Sequence, residues 1–298
     1  MVQFGNSERH IVSLFTPGSR FFFNGKEYEV ELSGKPTSRK GEPKTDIYVR
    51  CFEVSRGGVI EFKISFKQEN ADFLENKMTA ERAEQIFGPK WQEIVSDYTQ
   101  QIEQQFLMRP YIFKNKYKRT QAGCITLGWK FELLNKSSGE LSNRVKLSPS
   151  EVVEVYAGRK LDDSKRNASV NGMIIPESGV ANCVINCDVY RIHSIQEAVD
   201  NIIHIEKFAQ INQDVYFACK ALNYRSFDDK YDGNRPLSVF IDWEVINNKL
   251  TPKLIFNNPL LVRGNYVANK LKESLQSLNI KDTNGINQSN VSALKYIY

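Results

Sequence analysis

Asp46, Glu61 and Lys63 are the residues of this chain whose types and spacing best suit chemistry. They stand in Gly41-Glu-Pro-Lys-Thr-Asp46-Ile-Tyr-Val-Arg50 and in Gly57-Gly-Val-Ile-Glu61-Phe-Lys63-Ile-Ser65-Phe-Lys67. Two carboxylates converging on one point make a site for a hard divalent cation such as Mg²⁺. A cation held there polarises a phosphodiester and lowers the pKa of a water nucleophile. A lysine beside it orients that water or stabilises developing negative charge. The plainer alternative is a surface hairpin whose Glu and Lys only solvate one face.

The elements that must position these groups are legible around them. The stretch 41–50 reads as a loop entering a strand, Gly57-Gly58 as a turn, and 59–67 as a second strand. Side chains alternate along a strand, so Ile60, Phe62, Ile64 and Phe66 share an apolar face, and Glu61, Lys63, Ser65 and Lys67 a polar one. Residues 20–32 alternate around Asn24-Gly25, a hairpin signal. A short helix is expected over 6–16 bearing Glu8, and Glu29 and Glu31 precede the motif; each of these three acids could supply a further metal carboxylate.

The pattern resembles the PD-(D/E)xK nuclease superfamily, and within it the type II restriction endonucleases. In that family an Asp starts one core strand and a Glu/Asp-x-Lys lies on the next. The resemblance covers about residues 20–90 and implies that Asp46, Glu61 and Lys63 are catalytic, with Asp46 and Glu61 binding Mg²⁺. Thr45 stands where the family name has proline, and Pro43 lies three residues before Asp46. The implied fold is mixed α/β: a restriction-endonuclease-like core of a mixed central sheet flanked by helices, joined to a large α+β C-terminal half. The implied division is a catalytic core over 1–110 and a recognition and dimerisation part over 111–298, packed as one unit.

Length and composition agree with a folded protein. The 298 residues are 41% hydrophobic and 25% charged, with a net charge of +5. That balance excludes extended disorder and permits, without requiring, nucleic-acid binding. The charge is uneven. Residues 61–106 carry nine acids against five Lys/Arg, whereas 107–130 carry six Lys/Arg and no acid. No apolar run spans a membrane, no leader opens the sequence and no glycine-rich nucleotide loop is present, so a cytoplasmic, nucleotide-independent protein is expected. The five cysteines lack metal-ligand spacing and read as buried free thiols.

Further helices are expected from Asn70 through Phe87, along the stripe Trp91 to Phe106, and near 149–158, 195–209 and 266–278. Strands are expected near 123–134, 180–192, 214–224, 237–246 and 252–257. The tail from Asn279 reads as loosely held, though Tyr296-Ile-Tyr298 could dock.

Candidate DNA contacts follow from the cations. Lys40 and Lys44 lie in the basic loop 33–44, and Lys67 shares the polar face of Lys63. Lys114, Lys116, Lys118 and Arg119 interleave with Tyr111, Phe113 and Tyr117 and suit phosphate contact. The polar loops 158–172 and 223–236 offer Arg159, Lys160, Arg166, Arg225 and Arg235, side-chain types that read purines. The function expected is Mg²⁺-dependent, sequence-specific cleavage of double-stranded DNA by a homodimer. The alternatives are a repair or phage-defence nuclease of the same fold, and a non-catalytic DNA-binding protein on it.

Overall fold

Ile47, Val49 and Cys51 on one strand, and Ile64 and Phe66 on the next, bury their side chains on a single face. Period-two patterning thus builds the first core. The computed structural model describes residues 4–68, 73–76 and 78–298. Among these the chain is mixed α/β. Asn70, expected to cap a helix, lies outside the described residues. The chain divides into two compact units: Met1–Asp72 with Leu147–Gln213, and Phe73–Lys146 with Asp214–Tyr298. This interleaved division differs from the expected boundary near residue 110.

In the first unit the order is α1 (Phe4–Leu14), β1 (Arg20–Phe23), β2 (Lys26–Gly34), β3 (Ile47–Glu53), β4 (Val59–Lys67), α2 (Pro149–Ala157), β5 (Cys183–Asn186), α3 (Ile195–Asp200), β6 (Ile202–His204) and α4 (Ile205–Ile211). These strands form one sheet in the order β1-β2-β3-β4-β5-β6, and Ser169–Val170 pairs with Met173–Ile174 in a separate two-stranded ribbon. The β1 to β4 meander is antiparallel, and β5 runs parallel to β4. Asn24 and Gly25 both adopt positive φ, as a two-residue hairpin of this kind requires. Gly57 at φ +71 helps close the β3–β4 hairpin, with its N–H on the Glu53 carbonyl at 2.8 Å.

Helix α1 presents Ser7 and Ile11 at i and i+4, both buried, and Ile11 with Phe15, just past the helix end, joins the core formed by β3 and β4. Ala198 and Val199 of α3 join the same core. Tyr48 falls on the opposite side of β3 and is covered by Val170 and Ile175. A capping box of Ser148 and Glu151 starts α2, and Gly158 in the left-handed region ends it. The helix expected over 195–209 is interrupted. Residues 202–204 pair with β5, and a capping box of Ser194 and Glu197 starts only the first piece.

The second unit is built on the long antiparallel strands Cys124–Leu134 and Val215–Arg225, with Val239–Ile246 and Lys249–Ile255 continuing the sheet. Helix Gly264–Ser277 packs on Val239–Ile246. Trp129, Trp243, Tyr111, Phe106, Phe131 and Phe217 are its largest buried side chains. The stripe at 91–106 forms two helices, Trp91–Gln100 and Glu103–Leu107, and the helix expected from residue 70 begins only at Ala80, capped by Thr79. The tail docks: Tyr298 N–H donates to the Ile112 carbonyl at 2.8 Å, and Tyr296 stacks on Tyr111 at 5.1 Å.

Candidate active site

Asp46 sits where the β3–β4 ladder ends. Its N–H donates to the Ile64 carbonyl at 2.8 Å, and its Oδ2 accepts the Phe66 N–H at 2.8 Å. The side chain therefore takes the place of a backbone partner on β4. The preceding loop is pinned as well. The N–H groups of Lys44 and Thr45 share the Gly179 carbonyl at 3.0 and 3.2 Å. Gly179 is required there, since a Cβ would meet the Lys165 carbonyl oxygen at 1.8 Å.

The charges around Asp46 come from three elements. Burial pushes its pKa up to about 6, Lys67 of β4 opposes that rise, and Glu8 of α1 adds to it. The Phe66 hydrogen bond and Lys35 favour the charged form. Lys35 is ion-paired with Glu8, and burial works against the charge of Lys35 while Glu8 and Asp46 raise its pKa. Two carboxylates thus lie near one another with lysines on either side.

Glu61 is placed elsewhere. The ladder pairs Ile47 with Ile64 and Arg50 with Glu61, so Glu61 lies five residues back along β4 from Phe66, which anchors the Asp46 carboxylate. That is about 17 Å of extended strand. Glu61 instead accepts a hydrogen bond from the hydroxyl of buried Tyr48. Burial first, and Glu61 second, push the Tyr48 hydroxyl above its ordinary pKa. The expectation that Asp46 and Glu61 converge is therefore corrected by register: the same hairpin that puts both acids near a lysine separates them from each other. Among the described residues no three His, Cys, Asp or Glu side chains group closely enough to hold a metal ion.

Lys63 pairs with Tyr48 across the ladder. Its backbone is clamped by Asn182, whose Oδ1 accepts the Lys63 N–H at 2.8 Å and whose own N–H donates to the Lys63 carbonyl at 2.9 Å. Asn182 also donates its Nδ2 to the Glu61 carbonyl at 2.9 Å. Asn182 was not evident as a site residue, because it reaches the hairpin from a distant segment, and Lys35 was read only as part of the basic loop 33–44. Glu29 and Glu31, weighed as extra ligands, are paired with Arg20 and Arg50, both at 2.8 Å.

The expected DNA contacts divide into tethered and exposed groups. Lys114 donates to the carbonyls of Ile286 and Asn284 at 2.8 and 3.3 Å, a structural duty. Lys116 and Arg119 are exposed, and exposed Lys118 lies 3.7 Å from Glu140. Arg159 is paired with Glu206, Arg166 with Glu177, and Arg225 with Asp232. Lys40, Lys160 and Arg235 are exposed, while Lys44 is half-buried and engaged. The loop 223–236 contains a short hairpin, with Lys230–Tyr231 folded back on Tyr224 and Arg225.

Four cysteines, Cys51, Cys124, Cys183 and Cys219, are buried free thiols, and Cys187 is half-buried. Among the described residues no helix is long and apolar enough to cross a membrane. Comparisons with protein-family models, with curated proteins and with solved structures gave no match for this chain.

Proposed function

We propose that the chain is a Mg²⁺-dependent nuclease of the PD-(D/E)xK type acting on double-stranded DNA. The observation that carries this reading is the setting of Asp46: a carboxylate tied to a strand end by one oxygen, with a second carboxylate, Glu8, and two lysines within its electrostatic reach. Carboxylates gathered together repel one another, and a divalent cation relieves that repulsion. Mg²⁺ commonly binds through one or two carboxylates plus phosphate oxygens and water, so Asp46 with Glu8 suffices as the protein's share. Bound there, Mg²⁺ would supply charge to the scissile phosphate and acidify a water.

The residues' own parts follow from their positions. Asp46 is held by the Phe66 N–H, so one oxygen stays oriented and the other, Oδ1, is left for the ligand. Glu8 shares the lysine Lys35 when no other cation competes for it. Pairing β4 with β5 on its far side makes the support rigid. A restriction-enzyme-like use, with two copies cutting opposite strands of a symmetric site, is the form we favour. The support for DNA as substrate is the exposed cations Lys116, Lys118 and Arg119 together with the net charge of +5. The test is incubation of the protein with supercoiled plasmid and Mg²⁺. Discrete fragments support site-specific cleavage, nicks or smears support a repair or defence nuclease, and intact plasmid overturns the nuclease reading.

A further inference from the structure

We infer that Lys67, and not the motif lysine Lys63, is the lysine that meets the scissile phosphate beside Asp46; this rests on the nuclease reading. The Asp46 carboxylate is anchored on the N–H of Phe66, so the next residue along β4 is Lys67. Lys63 lies three residues behind that anchor, opposite Tyr48. The register thus shifts the Glu-x-Lys frame by four positions, onto Ser65-Phe66-Lys67.

A second observation falls at the shifted frame. Ser65 has no exposed surface, and its Oγ has no hydrogen-bond partner. Thr45, next to Asp46, is likewise buried with an unpartnered Oγ1. Buried hydroxyls nearly always find partners, and of these two Thr45 stands next to Asp46 along the chain and Ser65 between its two backbone partners on β4, Ile64 and Phe66. No such orphan stands at Glu61, whose carboxylate is held by Tyr48. Charge points the same way, since the strongest charge partner of Asp46 is Lys67.

In this site the acid lost at position 65 is supplied from α1 by Glu8. Lys67, as an ammonium, would donate to a non-bridging oxygen of the phosphate. A water oxygen then bonds to phosphorus while the bond from phosphorus to one sugar oxygen breaks. The water proton passes to solvent, and the departing alkoxide takes a proton from solvent. Lys67 gains its advantage because negative charge grows on the oxygen it faces.

The test compares Lys67→Met and Lys63→Met in the plasmid assay with Mg²⁺, beside DNA binding in Ca²⁺ and thermal unfolding. Lys67→Met should slow cleavage by about a hundredfold or more, with Ca²⁺-supported binding and the unfolding midpoint retained. Lys63→Met should stay within about threefold of wild type. Lys67→Arg, which keeps the charge, should recover part of the lost rate and guards against a trivial loss of folding. Loss confined to Lys63→Met, or shared equally by both variants, overturns the role of Lys67 and leaves the nuclease reading standing. A wild type that cuts nothing overturns both.

Discussion

Asp46 in the first unit and Glu132 in the second are both carboxylates set against a sheet, and the company each keeps differs. In the first unit Asp46 is half-buried, with Lys67, Glu8 and Lys35 around it. In the second unit Glu132 is buried in the long strand Cys124–Leu134, with Lys130 at 3.1 Å and Lys220 also acting on it. Burial raises the pKa of both acids. Around Glu132 the neighbouring charges that act on it are cations, which oppose the rise in its pKa without cancelling it. Around Asp46 a second acid adds to the first. A lone buried acid between lysines is a structural solution, whereas paired acids leave a place for a cation that the chain does not supply in full.

The sharpest break of this comparison is catalytic. Asp46→Asn should reduce Mg²⁺-dependent plasmid cleavage by about a hundredfold or more, because it removes a ligand to the reacting charge. Glu132→Gln should leave the rate unchanged. Equal loss in both variants would show that burial alone, not the convergence of acids, is what matters. The effect on Glu8→Gln should lie between the two, and no loss there would restrict the site to Asp46.

The basic segment of the second unit offers a different contrast, between a tethered cation and exposed ones. Lys114→Met should destabilise the protein by about 1.5–3 kcal/mol, the usual worth of hydrogen bonds from a charged group, because the Ile286 and Asn284 carbonyls lose their donor. Neutralising Lys116, Lys118 and Arg119 should leave stability intact and flatten the salt dependence of DNA affinity. Urea unfolding and binding titrations at several salt concentrations separate the two. An unchanged salt slope would remove this face from the DNA interface.

Much of the fold was legible because its signals are local. Asn24-Gly25 and the glycines at 57 and 58 mark two hairpins, and the alternation in 59–67 names the buried face. The strands 124–134, 215–225 and 239–246 and the helices 149–157 and 264–277 fall where periodicity puts them. What failed was register. Once the hairpin closes between Glu53 and Gly58, pairing fixes Glu61 opposite Arg50 and sets Asp46 beside Ile64 to Phe66. Spacing in a motif does not report that count. Other misses were long-range. Asn182 enters from a distant segment, and residues 202–204 became a strand because β5 offered an edge to pair with. The arginines at 159, 166 and 225 looked like base readers because their partners Glu206, Glu177 and Asp232 are not apparent as partners from sequence.

Metal should tell the two acids apart without any substrate. If Asp46 and Glu8 hold a divalent cation, Mg²⁺ at ten times its dissociation constant stabilises the fold by about 1.4 kcal/mol. That is a rise of a few degrees in the unfolding midpoint. The rise should persist in Glu132→Gln and vanish in Asp46→Asn. A shift that survives Asp46→Asn would place the cation elsewhere.

The smallest effect concerns pH and the second unit alone. Burial lifts the Glu132 pKa, with Lys130 and Lys220 working against that rise. Its folded value therefore lies above its unfolded one, so the folded state binds the proton more tightly. The corresponding stability is fully present below the unfolded carboxylate range and is lost as pH rises through the raised value. One carboxylate oxygen of Glu132 has no hydrogen-bond partner, which is the physical source of the penalty on ionisation. Glu132→Gln, which is neutral throughout, should remove this part of the pH dependence. Urea unfolding of wild type and variant from mildly acidic to neutral pH measures it, and the wild type should lose more stability across that interval than the variant. If instead the variant loses more, Lys130 and Lys220 outweigh burial in the folded state, and Glu132 is a favourable ion pair rather than a tolerated one.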